Sequence, residues 1–139
     1  MNTYDLILQD LQRTDNQEIS FIPLHSREED PKSQVKYLFK QLRRAKSMNN
    51  RREMLINAWY IGEVIEARTT SLTERVLCLK MMSQYYQKVV IRLYYIFEFL
   101  GIETLSRSMD TTLAMISKLS NSQYVTLQQE AVTVAGARL

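Results

Sequence analysis

Only one cysteine occurs in the 139 residues, with one histidine, two prolines and three glycines. Cys78 has no partner for an intramolecular disulfide. Its setting, Arg75-Val76-Leu77-Cys78-Leu79-Lys80, reads as a small inert residue on a helix, in a reducing intracellular compartment, nuclear or cytoplasmic alike. His25 by itself builds no histidine cluster, His–Cys zinc site or Ser-His-Asp triad. Gly62, Gly101 and Gly136 are too scattered for a glycine-rich phosphate loop. Glu63 and Glu66 lie one helical turn apart but lack the Glu-x-x-His companion of a di-metal site. The expectation is a non-enzymatic protein with no catalytic residue, cofactor or metal.

Long apolar runs are also missing. Val89 to Leu100 is the most apolar stretch, yet Arg92 and Glu98 interrupt it and it falls well short of the roughly 20 residues that a spanning helix needs. Met1-Asn2-Thr3-Tyr4-Asp5 offers no basic region followed by an apolar run. Neither membrane insertion nor secretion is expected. Ala137-Arg138-Leu139 resembles a peroxisomal address in form, although three residues match such a signal easily by chance.

What is present is helical. Abundant Leu, Met, Gln, Arg and Glu, few breakers and repeated capping signals predict an all-α fold, and no useful alternating strand pattern competes. We expect a compact single-domain bundle of six to seven short-to-medium helices over residues 1–131, with 132–139 as a frayed tail. A first helix, about Thr3 to Arg13, is followed by an extended connection or arm over 14–29 around Pro23. Asp30 and Pro31 open a second helix, with Glu28 and Glu29 beside its positive end. Asn50 with Glu53 opens a third, reaching about Arg68, whose apolar residues on several sides place it centrally. Gly62 within it marks a close crossing by another helix. Ser71-Leu72-Thr73-Glu74 starts a helix to about Met82, and Ser83 caps one from Gln84 to Leu100 that Gly101 ends. Tyr85, Tyr86, Tyr94, Tyr95, Phe97 and Phe99 on that last helix read as core rather than as stacking platforms. Arg92 is expected either to pair with Glu63, Glu66 or Glu98, or to join a cationic surface near Lys88. Two short helices after Asp110 and Ser120 form a helix-turn-helix-like pair that carries amides rather than a basic recognition set.

Charge is the most informative feature. Lys32, Lys36, Lys40, Arg43, Arg44, Lys46, Arg51 and Arg52 lie in a 21-residue stretch without an acidic residue, although the whole chain is only +3. Ten basic against fifteen acidic residues elsewhere leave the remainder at −5. Val35, Leu38, Phe39, Leu42 and Ala45 form an apolar stripe, while Lys32, Lys36, Lys40 and Arg44 repeat every four residues on another face. A helix with one packing face and one cationic face suits phosphate contact.

Asn57-Ala58-Trp59-Tyr60-Ile61-Gly62-Glu63-Val64-Ile65-Glu66, preceded by Arg43-Arg44-Ala45 and Asn49-Asn50, resembles the helical N-terminal module of the YhcG-like family of nucleases. The similarity spans roughly Gln41 to Arg68, and the family's nuclease domain has no counterpart here. What the resemblance implies is DNA contact without cleavage. The charge pattern makes the eight cations the candidate binding residues for nucleic acid, with DNA preferred. The alternative is a helical interaction or structural subunit whose basic face meets an acidic protein surface. Surplus apolar helix faces also leave room for a homo-oligomer.

Overall fold

The computed structural model describes residues 2–13, 30–105 and 109–137. The expected arm over 14–29, with Pro23, His25, Glu28 and Glu29, and the terminal Arg138 and Leu139, lie outside the described residues. Within them the chain is all helical, with seven helices of six residues or more and one four-residue turn. In chain order these are α1 (Thr3–Gln12), α2 (Pro31–Ser47), α3 (Arg51–Glu63), α4 (Leu72–Leu79), α5 (Gln84–Phe97), the short α6 (Ile102–Leu105), α7 (Leu113–Lys118) and α8 (Asn121–Ala137).

Local chemistry sets most boundaries. Asp30 accepts from the Ser33 N–H at 2.9 Å with Pro31 in the first turn of α2. That contact, with the Ser33 hydroxyl, holds the Asp30 carboxyl below its ordinary range. Asn50 caps α3 through Glu53 N at 3.2 Å, Ser71 caps α4 through Glu74 N at 3.1 Å, and Ser120 and Gln123 exchange backbone–side-chain bonds at the start of α8. Gly101 takes φ 81 and its N–H reaches Phe97 O at 3.1 Å, so a left-handed residue closes α5 as its sequence predicts. Ser83 precedes α5 but makes no side-chain capping bond.

The core is one cluster to which every helix contributes. Its axis is α3, in which Leu55, Ile56, Asn57, Ala58, Trp59, Tyr60, Ile61 and Gly62 are buried in succession. α2 lies along one side of α3 and α5 along another. At the α3–α5 crossing, a Cβ on Gly62 would stand 2.5 Å from the Val90 carbonyl oxygen and 2.6 Å from Tyr94 Cβ. The glycine therefore lets two backbones approach within a distance that no other residue tolerates. Beyond Glu63 the helix continues as a π turn, Val64–Arg68, in which Thr69 N bonds Val64 O at 3.2 Å. The wider turn brings residues five apart onto one side, and Arg68 meets Glu63 there at 3.1 Å.

α7 and α8 close one end of the bundle, joined by Leu119 and Ser120. α8 continues to Ala137, past Val132, where the sequence pattern ends. Arg92 differs from both expectations: it neither pairs with Glu63, Glu66 or Glu98 nor joins a cationic surface. It is 5% exposed and donates to the carbonyls of Ile116 at 3.2 Å and Leu119 at 2.7 Å and to Asn121 Oδ1 at 2.9 Å, with Tyr124 stacked 4.9 Å away. The guanidinium thus satisfies the carbonyl end of α7 and pins α7 and α8 to α5. Asp10 performs the complementary task on α1. Its buried carboxylate accepts from the backbone N–H groups of Asp110, at 3.0 Å, and Thr111, at 2.7 Å, and from the Thr111 hydroxyl.

Candidate nucleic-acid interface

α2 turns its stripe of Val35, Leu38, Leu42 and Ala45 into the core and leaves Lys32, Lys36, Lys40, Arg43, Arg44 and Lys46 exposed. At about 100° per residue the centre of the cationic stripe lies roughly opposite the buried one. Arg51 and Arg52 follow in the first turn of α3, Arg51 exposed and Arg52 half-buried with its Nε enclosed. Among the described residues, none of the eight is engaged in an ion pair. No helix among the described residues is long and apolar enough to cross a membrane.

The eight do not form one even strip. Lys36, Lys40 and Arg43 surround a hollow of about 330 Å³ between α2 and Met81, with Phe39 as its wall. The Arg43 guanidinium lies 5.3 Å from the centre of the Phe39 ring. Lys46 and Arg51 border a second hollow of about 320 Å³, which Tyr85 and Tyr86 line from the start of α5 and Thr112 from the start of α7. Phe39 and Tyr86 meet edge to face at 5.2 Å, so the aromatic pair separates and links the two hollows. Lys32, Arg44 and Arg52 line neither.

The aromatic helix therefore has two halves. Tyr94 and Phe97 are buried, and Tyr95 donates its hydroxyl to Glu66 Oε2 at 3.1 Å, all in keeping with a core helix. Tyr85, however, is 45% exposed and Phe99 62% exposed, so the expectation that all six aromatics belong to the core is corrected at both ends. Tyr85 is one of the first residues of α5, where the helix emerges beside α2. The signal lies in its neighbours: Ser83, Gln84 and Gln87 make that end polar, whereas Val89 to Phe97 is apolar apart from Arg92.

Elsewhere several ionisable residues serve the fold. Glu66 receives Arg75 at 2.7 Å as well as the Tyr95 hydroxyl, and Glu63 holds Arg68. The bond and charge of Glu66 raise Arg75 above its ordinary value, and burial, then Glu66, raises Tyr95. Cys78 is buried, and burial pushes its thiol up, which makes it a poor nucleophile. Among the described residues no group of three His, Cys, Asp or Glu side chains is placed to hold a metal ion. No protein-family model matches the chain, and neither curated sequences nor solved structures give a significant match.

Proposed function

We propose that this chain is a small, non-enzymatic nucleic-acid-binding protein that holds phosphates on the exposed face of α2 and the first turn of α3. The observation that carries the reading is eight cations on adjoining elements, unpaired among the described residues, in a molecule whose remaining charge is −5. A concentrated cationic face on a rigid, core-anchored helix attracts a polyanion and fixes its path without reading sequence. The two hollows add aromatic and apolar surface beside the charge. The resemblance of Gln41 to Arg68 to a DNA-contacting helical module supports the same reading.

The test is titration of labelled DNA and RNA by fluorescence anisotropy with the wild-type chain and with Lys36→Glu/Lys40→Glu/Arg43→Glu. Binding near physiological salt that the triple reversal abolishes is the expected result. Binding indifferent to the reversal sinks the reading. A second reading, an acidic protein partner on the same face, is favoured by exposed Tyr37 and by Met48, 67% exposed, because tyrosine, methionine and arginine are enriched at protein interfaces. Under it, nucleic acid binds weakly even before mutation and a partner complex survives moderate salt.

A further inference from the structure

The hollow bordered by Lys46, Arg51, Tyr85, Tyr86 and Thr112 has a composition that phosphate contact alone does not require. Its floor is apolar, formed by half-buried Met54 and buried Leu113. One wall is a pair of tyrosine rings 5.1 Å apart and nearly perpendicular, of which Tyr85 is exposed and Tyr86 also meets Phe39 edge to face. The rim carries two exposed cations from different helices, the end of α2 and the start of α3. Thr112 Oγ1 accepts from Met115 N at 3.2 Å, which leaves its own O–H to donate. At about 320 Å³ the space lies at the small end of ligand pockets, enough for one nucleotide unit.

From this geometry we infer that the hollow receives one unpaired base of a single-stranded nucleic acid, stacked on Tyr85 with the flanking phosphates on Lys46 and Arg51. The inference deepens the proposed function and rests on it. A base held in a duplex is stacked on its neighbours and cannot present a face to Tyr85, whereas a single strand can turn one base into the hollow while its backbone continues past Phe39 to Lys36, Lys40 and Arg43. The charge order along the surface fits one continuous strand, two cations at the hollow and three at its neighbour. Ring stacking is tolerant of base identity, so preference for single strands, not for a sequence, is the property that the site confers.

The experiment compares a 12-nucleotide single strand, as DNA and as RNA, with a 12-base-pair duplex, against wild type, Tyr85→Ala, Tyr85→Phe and Lys36→Glu/Lys40→Glu/Arg43→Glu. Tyr85 is 45% exposed, so its replacement leaves folding intact, which circular dichroism verifies. The expected result is tighter single-strand than duplex binding, about tenfold weaker single-strand binding in Tyr85→Ala with duplex binding unchanged, and rescue by Tyr85→Phe. The DNA and RNA arms show which single strand fits better. Equal single-strand affinity of Tyr85→Ala and wild type, with loss of binding in the triple reversal, overturns the hollow as a base site and leaves the phosphate face standing. Wild type that binds neither form overturns the phosphate face and the inference together.

Discussion

Two groups of cations in this protein contrast. Arg92, Arg75 and Arg68 are each held by named acceptors: backbone carbonyls and Asn121 for the first, Glu66 and Glu63 for the others. Between Lys32 and Arg52 eight cations crowd into 21 residues, and none is engaged in an ion pair among the described residues. The first group holds elements of the bundle together, so its charge is neutralised or satisfied internally. The second makes no ion pair among the described residues, so under the proposed reading its mutual repulsion is what an external anion would relieve.

The contrast predicts opposite consequences for removing charge from the two groups. Arg92→Ala leaves three acceptors at the α7–α8 junction without their donor, and we expect a loss of about 3–5 kcal/mol, measured by chemical denaturation. Asp10→Asn keeps the shape but turns part of an acceptor into a donor facing N–H groups, so a loss of about 1–3 kcal/mol is expected, read in the same way. The triple reversal on α2 should change stability by no more than about 1.5 kcal/mol, about 0.5 for each position, because all three are exposed and away from the buried stripe. A large loss there would make the basic face structural and erase the distinction.

The pH dependence sharpens it further. Burial pushes Tyr94 and Tyr124 up to about 12 from an ordinary 10.0, with neighbouring carboxylates adding to it for Tyr94. A phenol whose folded value is raised stays protonated in the native state while the unfolded chain ionises, so the unfolded state binds fewer protons in that window. Stability is fully present below about pH 10 and falls as pH rises from about 10 towards 12, measured by melting in alkaline buffers. Tyr124→Phe should flatten that decline.

Helices and caps were legible because they are local. Asp30-Pro31, Asn50, Ser71, Gly62 and Gly101 each act on backbone groups within a turn or at one crossing, and their roles follow from residue type and spacing. What escaped the sequence was long-range pairing. Asp10 meets Thr111 a hundred positions away, and Arg92 meets carbonyls that any residue would supply at Ile116 and Leu119, so no side-chain pattern announces either contact. The basic face was readable as a charge run, since α2 carries it on one side. Its division into two hollows was not, because Met81, Tyr85, Tyr86 and Thr112 reach it from α5, from the start of α7 and from the turn after α4. Apolar sequence neighbours downstream point Tyr85 to the core, whereas its position in the first turn of α5 exposes it.

Whether the cations between Lys32 and Arg52 serve a polyanion, as proposed, is read from affinity against salt concentration for wild type and the triple reversal. If about five phosphates are engaged, log affinity should fall against log salt with a slope of roughly −4.5 on duplex and about −3.5 on single strands, and the reversal should make the slope markedly shallower. A slope near zero, or one that the reversal leaves unchanged, would show that these cations hold no polyanion.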